Sequence, residues 1–230
     1  MGGADKLSVS DSQTVSGDYG DYATGSYYAN LATGSIGTHA YAEKDSAPGH
    51  AGSTAYATFV ETLTFHIPTE VRTEDLYVTL NGHFDGTVAT SGDGVTAYQK
   101  WYFRLGGGLG YDTFDDGNTR YDQSISTDFS LTAPIFKNGF TSTLTLSAYL
   151  KSVVSVPGLA EAGSWADVDF SSTAQFLSLD TPDGVTWTSE SGVFLDDAPA
   201  VAAVPEPASM ILVSLGLMTS LVKLRRSRNR

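Results

Sequence analysis

Apolar and polar residues alternate in several stretches of the chain after residue 55, with Glu61 as an exception. In residues 144–150, leucine and alanine occupy every second position, and threonine, serine and tyrosine lie between them. A period of two residues is typical of a β-strand that buries one face. Similar alternation covers residues 57–67, 76–84, 125–131 and 166–170. Because long helical patterns are absent from this part of the sequence, the chain is predicted to fold mainly as β-strands.

Turn-forming residues separate these alternating runs. Asn81-Gly82 lies between two apolar alternations, and the sequence Ser-Gly-Asp-Gly follows at residues 91–94. The first pair predicts a hairpin, and the two turns together predict a three-strand meander. Thr-Pro-Asp-Gly at residues 181–184 predicts a further hairpin, between residues 176–179 and 185–188. About nine or ten short strands with regular turns predict an all-β fold, an antiparallel β-sandwich that is jelly-roll-like.

The chain divides into three predicted parts. Residues 1–197 form the β-sandwich, residues 198–203 a short linker, and residues 204–230 a separate C-terminal segment. Within the first part, residues 1–20 are rich in small and polar residues and are predicted to be disordered. Residues 22–41 carry small residues between tyrosines and are predicted to form twisted edge strands.

Charge is distributed unevenly along the chain, which has a formal net charge of −13. Residues 1–203 hold 8 Lys and Arg against 25 Asp and Glu, so this body is near −17. Because contacts with phosphate backbones require Lys and Arg, the acidic body argues against binding to nucleic acid. The absence of cysteine excludes disulfides and cysteine-based zinc sites.

The C-terminal segment combines three features in a fixed order. Pro205, Glu206 and Pro207 come first, the 15 uncharged residues 208–222 follow, and a basic tail ends the chain. As a helix, residues 208–222 would be roughly 22 Å long, short of the ~30 Å hydrocarbon core of a bilayer. The long side chains of Lys223 and Arg225 can extend to the membrane surface and so increase the thickness that the segment can span. Residues 208–222 are therefore predicted to form one short transmembrane helix. The positive-inside rule then predicts that the body lies outside the cell and that the tail stays in the cytoplasm; the tail's cations are Lys223, Arg225, Arg226, Arg228 and Arg230.

This order of a Pro-Glu-Pro triplet, a short apolar helix and an arginine-rich end resembles the PEP-CTERM sorting signal. The resemblance covers residues 204–230. It implies recognition by an exosortase-like membrane protease and transient residence in the inner membrane of a Gram-negative bacterium. Cleavage near the triplet would then release the protein to the cell surface or matrix, where such bacteria make exopolysaccharide. Pro205, Glu206 and Pro207 would be substrate residues of the protease and would have no catalytic role.

Two further features concern this resemblance. Residues 140–192 are more loosely similar to the β domains often found ahead of such signals, which again implies a sandwich. The first residues, Met1 to Leu7, show no basic region followed by an apolar stretch, so no signal peptide is visible in this sequence. We expect either a start codon further upstream or a trimmed N-terminus.

An acidic cluster is the most suggestive candidate for metal chemistry. Four carboxylates and one amide lie within 11 residues and offer the oxygen ligands that Ca²⁺ prefers: Asp112, Asp115, Asp116, Asn118 and Asp122. The spacing is not that of an EF-hand, because Phe114 replaces a ligand and Gln123 stands where glutamate is required. The alternatives are a Ca²⁺ site and an acidic surface loop.

No catalytic residue is predicted from the remaining patterns. The four histidines lack a metal-ligand spacing, and the glycine-rich residues 106–110 lack the full dinucleotide fingerprint and a following helix. The predicted function is that of a non-enzymatic surface or matrix protein with a structural or adhesive role. Two alternatives remain, namely a carbohydrate-binding or carbohydrate-active jelly roll with tryptophan or tyrosine as stacking faces, and a Ca²⁺-dependent adhesion module.

Overall fold

A computed structural model describes residues 8–16, 21–45, 49–69, 76–107, 110–114, 119–120, 122–136 and 141–195. These residues belong to one compact unit, Met1–Pro199. Their alternating sequence produces twelve strands within the described ranges: β1 (Ser8–Ser16), β2 (Tyr22–Asn30), β3 (Ser35–Lys44), β4 (Ala51–His66), β5 (Leu76–Ser91), β6 (Thr96–Gly107), β7 (Gly110–Phe114), β8 (Thr119–Arg120), β9 (Gln123–Ile135), β10 (Thr141–Val156), β11 (Ser164–Asp180) and β12 (Thr186–Ser189).

The strands form two antiparallel sheets. Sheet A has the order β1-β2-β3-β11-β5-β9, and sheet B has the order β12-β4-β10-β6-β7, with β8 also paired to β6. From β3 to β6, and again from β9 to β12, each strand lies in the opposite sheet from the strand before it. This alternation is the connection pattern of a jelly roll, with β1, β2 and β12 added at the edges. The predicted all-β antiparallel sandwich is confirmed, whereas the predicted C-terminal helix lies outside the described residues.

The apolar faces of the two sheets meet in an aromatic core. Phe84 of sheet A lies 4.5 Å from Trp101 of sheet B, measured between ring centroids. Phe103 stacks on Phe129 across the same interface at 5.1 Å. Both Trp101 and Phe84 are buried. The alternation in the sequence therefore identified the inward positions correctly, because period-two burial puts every second residue into this layer.

Polar side chains within the core bind one another across the two sheets. The Thr38 and Ser152 hydroxyls lie 2.7 Å apart, and Ser152 donates to Gln99 Oε1 at 2.6 Å. Gln99 Nε2 donates back to Thr38 Oγ1 at 3.4 Å. All three side chains are fully buried. Such a closed ring of hydrogen bonds offsets the cost of burying polar groups and joins β3 to β6 and β10.

Two of the three buried charged residues within the described ranges bind loops that lie far away in sequence, and the third, Asp21, accepts the Asp45 amide. Lys44 is fully buried, and its Nζ donates to the carbonyl oxygens of Gly158 and Ala160 at 2.7 and 2.6 Å. Glu61 interrupts the apolar face of β4, and its carboxylate accepts the Ser191 amide at 3.0 Å. Both exceptions to the apolar pattern therefore satisfy backbone groups that lie far away in sequence.

The hairpin predicted at Asn81-Gly82 is wrong, because β5 continues through both residues. Asn81 Nδ2 donates to Ser178 Oγ at 3.1 Å and to Asp180 Oδ2 at 2.8 Å on the neighbouring strand β11. A Cβ atom on Gly82 would overlap the Phe129 ring. The pair therefore serves cross-strand hydrogen bonding and aromatic packing, which a turn-based interpretation cannot anticipate.

The other two turns are present, but they do not make hairpins. Gly92, Gly94 and Gly184 have φ values of 106°, 72° and 78°, which are backbone conformations that favour glycine. The turn at residues 91–94 joins β5 in sheet A to β6 in sheet B, and the turn at residues 181–184 joins β11 to β12 across the sheets. The predicted meander and second hairpin are therefore wrong, since consecutive strands lie in opposite sheets.

The N-terminal part is more ordered than predicted. Ser8–Ser16 pairs with β2 over its whole length, so the expectation of disorder over residues 1–20 is wrong for this stretch. Of the predicted edge strands in residues 22–41, β3 lies between β2 and β11 and is an interior strand. Ala40 and Ala42 are fully buried there together with Ile36, so this stretch contributes to the core with few large apolar side chains.

Candidate functional site

The predicted sorting residues lie outside the residues that the structure describes. These are the triplet Pro205, Glu206 and Pro207, the apolar residues 208–222 and the basic tail. Among the residues that are described, no helix is long and apolar enough to cross a membrane. The predicted linker and domain boundaries near residues 197–204 likewise stay predictions.

Two of the five predicted Ca²⁺ ligands are described, and both bind backbone amides. Asp112 Oδ2 accepts the Thr132 amide of β9 at 2.9 Å, and Asp122 Oδ1 accepts the Thr90 amide of β5 at 2.6 Å. These contacts satisfy amides of sheet A that its strand ladder leaves open. The other three predicted ligands, Asp115, Asp116 and Asn118, lie outside the described residues, and no set of three or more metal-ligating side chains occurs within the described ranges.

The outer face of sheet A is acidic and carries two histidine–aspartate pairs. His39 Nε2 lies 2.8 Å from Asp167 Oδ1, which joins β3 to β11. His83 Nδ1 lies 2.7 Å from Asp128 Oδ1, which joins β5 to β9. Asp167 faces outward, as its alternation with apolar residues predicts. The pairs span 128 and 45 residues of sequence, so a search for short histidine motifs could not find them.

Four groups on this face have a pKa that departs from its ordinary value, and burial raises the pKa of one of them, Tyr28. The hydrogen bond to Asp167 raises the pKa of His39. Burial and the hydrogen bond to Glu43 raise the pKa of Tyr41 to about 12. Burial pushes the pKa of Asp169 upward, but hydrogen bonds from the Ser171 hydroxyl and amide outweigh burial and leave the pKa lowered. The charged form is therefore favoured for both His39 and Asp169.

The His39–Asp167 pair predicts a pH-dependent stability. Because the folded-state pKa of His39 is raised, its contribution is fully present below pH ~6.5 and is lost as the pH rises through the folded-state value. His39→Gln should lower the melting temperature by about 1–3 °C at pH 5.5 and by less at pH 8.5. His66→Gln, at an exposed position of β4, is the control. An equal loss for His39→Gln at both pH values would contradict this interpretation.

A shallow hollow lies beside the histidine pairs. It has a volume of about 280 Å³ and is lined in part by Asp85, Asp169 and Ser171. Ser171 lies within the stretch of β11 between Phe170 and Ala174 in which the register with β3 shifts. The hollow therefore lies beside this irregularity in β11.

The outer face of sheet B has a different chemistry. Four tyrosines and two lysines form what we call the tyrosine–lysine face: Tyr56, Tyr98, Tyr102, Tyr149, Lys100 and Lys151. Lys151 of β10 lies directly opposite Tyr56 of β4 on one side and Lys100 of β6 on the other. Its Nζ is 5.1 Å from the centre of the Tyr56 ring. A side-chain hydrogen bond with Tyr56 raises the pKa of Lys151, so the ammonium group stays charged at neutral pH.

The sequence predicted stacking by tryptophan or tyrosine in general, and the residues of this face were not among the predicted site residues. Residues 98–104 alternate between tyrosine or a cation and buried residues such as Trp101 and Phe103. That alternation is the signal that could have found it. Trp101 and Trp187 belong to the core, since Trp101 is 1% exposed and Trp187 contacts Phe194 at the core edge. Trp165 is half-buried at an outward position of β11 in sheet A.

Comparison with known protein families gives a match at the C-terminal end of the chain. The family of PEP-CTERM protein-sorting motifs matches residues 203–227, which include Pro205, Glu206, Pro207 and the start of the basic tail. No curated protein matches the chain. The matched region coincides with the segment whose order of features predicted sorting, and it implies export and a membrane-associated sorting step in a Gram-negative bacterium, with an exosortase as the processing protease. The chain therefore carries a PEP-CTERM protein-sorting motif at residues 203–227.

Proposed function

We propose that the sandwich is a non-enzymatic structural or adhesive module that works at the cell surface or in the matrix, in or near exopolysaccharide. The observation that carries this proposal is a β domain with two broad polar outer faces placed ahead of the sorting motif at residues 203–227. The side chains of the inner layer fill the core, so the groups available for contact lie on the outer faces of the two sheets. Broad exposed sheets suit binding to an extended polymer.

The carbohydrate-active alternative would place a carboxylate pair in the hollow beside Asp85 and Asp169. A general acid in a glycosidase needs a raised pKa so that it still holds its proton near neutral pH. The pKa of Asp169 is lowered instead, because it accepts two hydrogen bonds from Ser171. The charged carboxylate suits a stable surface contact better than proton donation, so this observation favours the module.

The adhesion alternative through Ca²⁺ uses Asp112 and Asp122 together with three residues outside the described ranges. These two carboxylates already accept amides of different strands, β9 and β5. Ca²⁺ binding at residues 112–122 therefore remains a prediction, and the proposed function does not depend on it.

The proposed function predicts that retention of the protein depends on the polysaccharide. In the producing bacterium, the protein should be recovered with the cells and their matrix. In an otherwise identical strain that makes no exopolysaccharide, most of it should move to the medium, because its attachment site is gone. Immunoblots of the cell, matrix and medium fractions measure this. Equal distribution in both strains would overturn the proposal, and release of reducing ends from the isolated polysaccharide would favour the enzyme alternative.

A further inference from the structure

Two like charges lie directly opposite each other at the centre of sheet B. Lys100 and Lys151 are register partners on β6 and β10, and both side chains point to the outer face. Like charges in this arrangement destabilise a sheet. The outward positions described for β4, β6 and β10 carry no carboxylate, although residues 1–203 hold 25 acidic and only 8 basic residues. A cost of this kind, kept without a compensating carboxylate on the face, is typical of a binding site.

Tyrosine rings surround the two lysines in register. Tyr56 lies opposite Lys151, and one row along the sheet Tyr149 lies opposite Tyr102. Tyr56 is 52% exposed, so much of its ring is available for contact. Between the tyrosines and cations the face is mainly threonine and serine, including Thr58 and Ser147. The face thus offers flat rings, hydroxyl groups and positive charge on a rigid sheet.

We propose that the tyrosine–lysine face binds an anionic polysaccharide, with sugar rings stacked on the tyrosines and acidic groups of the polymer beside Lys100 and Lys151. This inference rests on the proposed function and names the ligand class for it. Tyrosine supplies large contact area at a small cost in conformational entropy. The ammonium groups attract carboxylates or sulfates, and their solvent-exposed position makes that attraction dependent on salt.

Charge favours a polysaccharide over a second copy of the chain. The two sheets of a sandwich lie ~10 Å apart, and the acidic side chains of sheet A point away from sheet B. A polymer on the outer face of sheet B is therefore farther from the acidic face than the ~8 Å screening length at physiological salt. A second copy packed through the same face would bring its own Lys100 and Lys151 against those of the first, and the outward positions described for β4, β6 and β10 supply no carboxylate to pair with them.

The test compares two equally exposed tyrosines on opposite sheets. Tyr56 is 52% exposed on sheet B, and Tyr77 is 53% exposed on sheet A. Full-length protein in mild detergent is titrated with alginate as a polyuronate, dextran as a neutral glucan and polyglutamate as an acidic polymer without sugar rings. Because all variants share the basic tail, differences between them report on the sheets.

Tyr56→Ala should weaken alginate binding at least fivefold, whereas Tyr77→Ala should leave it unchanged. Tyr56→Phe should retain most of the affinity because it keeps the ring. The double variant Lys100→Gln, Lys151→Gln should also bind alginate more weakly than wild type. The affinity of this variant for alginate should depend less on the salt concentration. Wild-type protein should bind dextran and polyglutamate more weakly than alginate. Unchanged melting temperatures show that the variants are folded.

Several results would overturn the inference. These are equal binding of alginate and polyglutamate, equal behaviour of Tyr56→Ala and Tyr77→Ala, or absence of alginate binding. Concentration-dependent self-association that Tyr56→Ala abolishes would identify a second copy as the occupant.

Retention of the protein in the cell matrix separates this inference from the proposed function. If Tyr56→Ala is retained like wild type, the proposed binding site is wrong and the proposed function stands. If wild type is not retained, the proposed function fails.

Discussion

Phe176→Ala is expected to lower the free energy of unfolding by about 3–5 kcal/mol. Phe176 is fully buried, and its ring lies within 6.3 Å of four other phenylalanine rings. Two of them, Phe59 and Phe103, belong to sheet B, and Phe129 belongs to sheet A. Removing this ring leaves a cavity at the point where both sheets meet, so the loss combines transfer free energy with lost packing.

Urea unfolding of the full-length protein, followed by tryptophan fluorescence, measures this change. The control is Phe136→Ala, because Phe136 is 42% exposed and its loss should change stability by at most ~0.5 kcal/mol. Since domains are stable by only about 5–15 kcal/mol, the Phe176 variant should lose a large fraction of the total. A loss below ~1 kcal/mol for Phe176→Ala would show that the aromatic layer does not hold the sheets together.

The inward face of each strand was predictable from the sequence. The period-two pattern in residues 144–150 placed Leu146 and Leu150 inward and Tyr149 outward, and all three positions are confirmed. Local alternation suffices here because side chains alternate across a sheet whatever strand lies beside it. The pairing partners of each strand were less accessible, because they depend on which sheet the chain enters after each turn.

Turn chemistry alone could not decide that question. Gly92, Gly94 and Gly184 adopt the backbone conformations expected of turns, but the same residues suit a hairpin and a crossing between sheets. Asn81 shows the opposite case, in which a strong turn signal lies inside a continuous strand because its amide binds β11. Long-range hydrogen bonds and packing against Phe129 override the local preference.

Among the candidate sites, too, those with a local sequence signal were predictable and those that depend on strand pairing were not. The sorting segment was predictable because its signal is linear, with the triplet, apolar stretch and cations in order, and the family match covers residues 203–227. The His39–Asp167 pair and the Lys100–Lys151 pair depend on strand register between residues far apart in sequence. A one-residue slip of register would send such side chains to opposite faces, so neither pair follows from spacing along the chain.

Replacing Pro205 and Glu206 together by alanine should stop sorting almost completely. Proline disfavours a helical backbone in the residue before it, and we expect an extended peptide at the triplet to be accessible to a protease. Without the triplet, the apolar residues and the basic tail should remain attached as an uncleaved precursor in the inner membrane. The matched control is Asp197→Ala with Pro199→Ala, which removes one acidic residue and one proline upstream of residues 203–227.

The most direct measurement is the C-terminal sequence of the protein recovered outside the inner membrane, determined by mass spectrometry. For wild type and for the Asp197 and Pro199 control, we predict that the released protein lacks residues 208–230. For the Pro205 and Glu206 variant, we predict full-length protein in the membrane fraction and little outside it. Released wild-type protein that still carries residues 208–230, or normal release of the variant, would contradict the account.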